Sequence, residues 1–224
     1  MIGRVLTAGL LAGLLTGVAV ATVQSFTTTP LILAAEAFET ATSHMGGGAD
    51  VASGEAALLP RAVGTGVATM IVSIGYALML LAAMLAANEP IEPRRAALWG
   101  LCAFVATGLA TGFGLAPQLP GAAETDLAGR QLWWIVTATS SAAGLLALTR
   151  FDSWPFLAAG ITLLVAPHFA TPAPATPASA VPAEIAARFV SASLAVQALD
   201  WVLAGVLGAI LYSLLQRQPA ETRP

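Results

Sequence analysis

The chain has 224 residues, 57% of them hydrophobic and only 9% charged, with a mean hydropathy of +0.81. A chain of this length cannot hide so much apolar surface in its own core, which excludes a soluble domain and makes lipid the solvent for most of it. The formal net charge of −3, in a chain whose nine basic residues are all arginine, argues against nucleic acid as a partner. In lipid every backbone N–H and C=O must be satisfied within the chain, so the spans are expected to be helices. The expected class is an all-α polytopic membrane protein, a single membrane domain over residues 1–224.

The first apolar run follows Arg4. Ala19-Val20-Ala21 resembles a signal-peptide cleavage site, but the run continues to Val23 and Phe26, long enough to span. Gly9, Gly13 and Gly17 form a G-x-x-x-G ladder that lets a second helix approach closely, so a retained span over 5–26 is expected. Residues 27–60 then read as a loop. Within it LILAAEAFETATSHM, after Pro30, has the pattern of an amphipathic helix, with Glu36, Glu39, Thr40 and Ser43 on one face. His44 lies about 80° around from Glu36. Two carboxylates and an imidazole suit a divalent first-row metal. An interfacial helix with its acids in water fits the same pattern. Gly46-Gly47-Gly48 would then be a hinge.

Further spans are expected over 62–87, 96–116, 131–149, 153–169 and 186–213, about six in all, with the fifth interrupted near Pro167. The lone Cys102 lies in the third and reads as core; it excludes an intramolecular disulfide and a cysteine-based metal cluster. Trp133 and Trp134 read as interfacial anchors, and Thr137, Ser140, Ser141 and Gly144 as a packing stripe. His168, beside Pro167 at a broken helix end, is a candidate metal ligand or a snorkelling histidine. Asp200, with Gln197 three residues earlier, lies near the middle of the last span; an ionised carboxylate there costs several kcal/mol unless paired. It reads as a pathway residue or a structural hydrogen-bonding group.

Six spans put Arg4, Arg94, Arg95, Arg150, Arg217 and Arg223 on one side, against Arg61, Arg130 and Arg188 on the other. The positive-inside bias then places both termini in the cytoplasm. The outer loops, 27–60, 117–130 and 170–185, hold most of the acids, among them Glu36, Glu39, Glu124, Asp126 and Glu184. Such a face concentrates cations. Asp126 precedes Arg130, and Glu184 precedes Arg188, by four residues, the favourable order for a helical ion pair. Neither G-x-x-x-x-G-K-[ST] nor G-x-G-x-x-G occurs, so nucleotide hydrolysis would belong to another subunit. No catalytic residue and no permanently bound cofactor is expected.

The runs LAPQLPGAAETDLAGRQLWW, APHFATPAP, VPAEIAARFVSASL and FTTTPLILAAEAFE together resemble the CbtA family of predicted cobalt transporter subunits, over nearly the whole chain. The resemblance implies import of Co²⁺ across the bacterial inner membrane for cobalamin synthesis. It also implies a small one-span, histidine-bearing partner of the CbtB kind. The positions that carry over are Glu36, Glu39, Pro120, Gly121, Arg130, Gln131, Trp133, Trp134, Pro167, His168, Pro182, Glu184 and Arg188. Two departures are visible: the first outer loop has only His44 where the family often has a histidine-rich stretch, and Gln118 stands where a glutamate is usual. Nickel transport, and a non-transporting scaffold packed through Gly9/Gly13/Gly17 and Gly108/Gly112, are the alternatives.

Overall fold

A computed structural model describes residues 2–44, 55–120, 126–172 and 181–217. Among these, all regular structure is helical: α1 (Ile2–Phe26), α2 (Thr28–His44), α3 (Glu55–Ala86), α4 (Pro93–Gly114), α5 (Leu127–Arg150), α6 (Trp154–Val165) and α7 (Ala183–Arg217). A π-helical turn, Val105–Leu109, lies inside α4, and a 3₁₀ turn, Ala166–Ala170, prolongs α6. Five of these helices are long and apolar enough to cross a membrane: α1, α3 from Leu59, α4, α5 and α7. The α6 helix with its 3₁₀ turn is shorter; at helical rises it reaches about 28 Å, close to the roughly 30 Å of a bilayer core.

Local chemistry sets several boundaries. Asn88, at a φ of 54°, ends α3 in the left-handed conformation. Glu89 N–H bonds to Met84 O and Asn88 N–H to Leu85 O, which satisfies carbonyls the helix end would orphan. Pro93 then opens α4, where a missing N–H costs nothing. Arg95 and Glu89 close that turn as an ion pair at 2.7 Å. The helix expected after Pro30 forms and starts earlier, at Thr28, with only Thr27 between it and α1, and α3 likewise begins earlier than expected, at Glu55.

The chain divides into two compact units. One comprises Met1–Ser25, Ser53–Leu101 and Ala198–Pro224; the other comprises Phe26–Ala52 and Cys102–Gln197. In the first, α1 runs antiparallel to α3: a side chain at Gly9, Gly13 or Gly17 would meet Leu78, Ile74 or Met70 in turn. At Gly13 the obstacle is the Ile74 backbone itself, so the glycine ladder sets the approach of the two helices. The α7 half-helix runs parallel to α3, with Ala12, Ala77 and Ala204 fully buried as one layer. At one end of this bundle Val5 and Ala8 of α1 pack with Leu81 and Tyr212, so the start of α1 lies beside the end of α7.

In the second unit, α5 and α6 form a hairpin. Gly144 and Gly160 face each other so closely that a side chain on either would meet the other's carbonyl oxygen. The α2 helix is packed by protein along one face: Ala35, with Ile32 beside it, is buried with Leu119 and Val181. It is therefore not simply an amphipathic helix lying on a bilayer.

Candidate functional site

The second unit is organised around the π turn of α4. There the Ala110 N–H reaches back five residues to Val105 O, which widens the helix. Two hydroxyls attend the backbone around it: Thr107 Oγ1 donates to Ala103 O at 2.8 Å, and Thr111 Oγ1 to Thr107 O at 2.7 Å. π turns of this kind are frequent at functional sites.

A cleft opens on either side of this stretch. The larger, of about 640 Å³, has an apolar majority in its wall but is the more polar of the two: Thr107, Thr111, Gln118, Arg130, Gln131 and Gln197 contribute hydroxyl, amide and guanidinium groups. The Gln197 amide fills the space where a side chain at Gly108 would stand, which brings it against the π turn. The other cleft, of about 600 Å³, is mostly apolar, with Leu109, Phe113, Leu164, Val165 and His168 in its wall.

The His168 imidazole is half-buried and lies edge-on to two rings, Trp133 at 5.9 Å and Phe113 at 6.4 Å between centroids. Trp133, read from sequence as an interfacial anchor, is instead 6% exposed. Its Nε1–H donates to the Pro167 carbonyl at 2.9 Å, which ties α5 to the end of α6. Trp134, 41% exposed, is the one of the pair that faces outward. Cys102 is half-buried rather than core.

The two expected acid–arginine pairs differ. Glu184 and Arg188 form an exposed ion pair at 2.6 Å. Asp126 does not pair with Arg130. Its carboxylate accepts from the Ala128 and Gly129 N–H groups at 3.2 and 2.9 Å, as the N-cap of α5, where orphan donors and the helix dipole both favour an acid. Arg130 turns to Gln118 instead, donating to its Oε1 at 2.9 Å. Gln118 was visible in the sequence only as a replaced glutamate; nothing in the spacing linked it to Arg130.

Of the remaining expected ligands, Glu36 is half-buried on α2. Glu39 and His44 continue that helix, and their side chains lie outside the described residues, as do Gly121 and Glu124 altogether. Among the described residues no group of three or more His, Cys, Asp or Glu side chains is placed to hold a metal. Asp200 lies in the first unit, 6% exposed, and accepts from Ser73 Oγ at 2.7 Å. Ser73 was not singled out in the sequence, since positions 73 and 200 share no local pattern.

Five long apolar helices define a polytopic helical membrane protein, and in its second unit hydroxyl and amide side chains gather at a helix distortion. The chain belongs to the CbtA family, described as "Probable cobalt transporter subunit (CbtA)", whose sequence profile matches residues 2–213. Among curated proteins none matches, and none among solved structures.

Proposed function

We propose that this chain is the membrane subunit of a cobalt importer supplying cobalamin synthesis, and that hydrated Co²⁺ passes along the more polar cleft of α4. The observation that carries this reading is the gathering of Thr107, Thr111, Gln131 and Gln197 beside the π turn, in a chain with so few polar residues. Amide and hydroxyl oxygens hold a divalent cation weakly, often through its waters, and an ion in transit must be released as readily as it is bound. Arg130 would oppose a cation; its bond to Gln118 engages it at the cleft wall. His168, expected from sequence as a ligand, takes a packing role in this reading, because its neighbours are aromatic rings and not other ligands. Glu36, Glu39 and His44 on α2 remain the expected capture groups at the outer face.

The start of α1 beside the end of α7 supports an even number of crossings. Five long helices then require a sixth, for which α6 is the candidate, with both termini cytoplasmic by the arginine bias. The histidine-poor first loop supports a separate one-span, histidine-bearing subunit as the metal-collecting partner. The scaffold alternative keeps the scarcity of polar residues in the spans in its favour, but the glycines through which it would pack are met within the chain: Gly9, Gly13 and Gly17 by α3, and Gly108 and Gly112 by Gln197 and Leu194. The test is radiolabelled cobalt accumulation in cells with and without this chain and its partner, with nickel as competitor. Accumulation that depends on the chain and resists nickel supports the reading; export of preloaded cobalt, or preference for nickel, contradicts it.

A further inference from the structure

The first unit contains a polar layer that the cleft does not use. One turn from the layer of Ala12, Ala77 and Ala204, each helix carries a polar residue: Thr16 on α1, Ser73 on α3 and Asp200 on α7. The register follows from the helix directions. Moving four residues up α1 and four down α3 and α7 leads from one layer to the next. All three residues are closed off, Thr16 and Ser73 at 0% exposure and Asp200 at 6%. Ser73 Oγ donates to Asp200 Oδ1, while Thr16 Oγ1 has no hydrogen-bond partner. A buried hydroxyl without a partner is costly and calls for an explanation.

We propose that Asp200 is a proton-binding site and that metal passage is coupled to its protonation; the coupling rests on the transport reading above. The packing selects the proton over a larger cation. The neighbouring layer is alanine at 0% exposure, and at the next residue of α7 a side chain on Gly205 would strike the Ala96 carbonyl oxygen. A metal ion and its ligand shell need space that this layer does not offer, whereas a proton needs none. The proton adds to the carboxylate oxygen that Ser73 leaves free and returns from it to water; no other bond changes. Protonation also reverses what that oxygen requires. The carboxylate only accepts hydrogen bonds, and the acid must donate one. The unpartnered Thr16 hydroxyl of the same layer can donate or accept, so its chemistry suits either state. Few other charges intervene. Within one turn of the layer on α1, α3 and α7 the only other titratable side chain is Tyr76, whose ring stacks on Trp201 at 3.8 Å. On α4, which meets α7 where Gly100 faces the Trp201 carbonyl, the titratable residue closest in sequence to Gly100 is Cys102. Arg4 and Arg61 lie about 18 Å along their helices from Thr16 and Ser73.

The test uses the full chain in lipid. Infrared difference spectra across a pH titration should show the carbonyl stretch of a buried carboxylic acid. The band should vanish in Asp200→Asn and move to higher frequency in Ser73→Ala, which removes the bond to that carboxyl and keeps the fold decidable if Asp200→Asn misfolds. Absence of a band that depends on Asp200 or Ser73, or a band that never titrates, overturns the site. In proteoliposomes with an entrapped pH dye, CoCl₂ entry should move protons in the wild type, and Asp200→Asn should remove most of that proton signal. Cobalt entry with no proton signal overturns the coupling alone. No cobalt entry in the wild type overturns the transport reading, and the infrared titration still decides the proton site.

Discussion

Individual residues divide here between those that hold helices together and those that face the cleft. Gln197 faces the more polar cleft against the π turn, whereas His168 stands in the wall of the apolar one beside two aromatic rings, and the proposed reading gives it to packing. Gln197→Leu should therefore reduce cobalt uptake several-fold or more at matched abundance, while His168→Phe should retain most of it. Loss of uptake in His168→Phe with normal abundance would return the imidazole to the ligand set. Asp126 offers a purely structural contrast. Asp126→Ala should lower stability in detergent by about 1 kcal/mol, and Asp126→Asn, which keeps a capping oxygen, should cost much less. Equal losses in the two variants would mean that the charge matters and the cap does not. The sequence made Asp126 visible as an acid near a helix start, and the same four-residue spacing that suits an ion pair also suits an N-cap. Spacing could not choose between these; the orphan N–H groups of Ala128 and Gly129 did.

Helices were more legible than contacts. Lipid leaves a spanning chain few options, so the long apolar runs translate into α1, α3, α4, α5 and α7 with small shifts at their ends. The glycine ladder of α1 announced a close partner, and α3 supplies it. Two features had no sequence signal. The π turn inserts a residue into α4 without changing its apolar pattern, and the packing of α2 by Leu119 and Val181 joins segments far apart in the chain. The ladder makes a direct prediction. Gly13→Leu drives a side chain into the Ile74 backbone and should cost about 1–3 kcal/mol as overpacking, seen as lower abundance and a lower melting temperature. Gly64→Ala, where no atom lies within 4 Å, should be neutral. Equal tolerance of both would mean that α1 and α3 do not meet through this ladder.

At the scale of the whole chain, the open number is the count of crossings, and it turns on α6. In a Cys102→Ala background, single cysteines replacing Asp126 and Thr171 should react with an impermeant thiol reagent in intact cells. Cysteines replacing Glu92, Asp152 and Arg217 should not. Labelling at Asp126 but at neither Asp152 nor Thr171 would mean that α6 returns without crossing.

The central claim is that this helical membrane protein moves cobalt. The most direct measurement reconstitutes the full chain, with any subunit that co-purifies with it, into liposomes that hold a fluorophore quenched by Co²⁺. The account predicts quenching that saturates with external CoCl₂, exceeds that of protein-free liposomes, and falls several-fold with Gln197→Leu. Quenching no faster than in protein-free liposomes, with correctly folded protein in the bilayer, would contradict it.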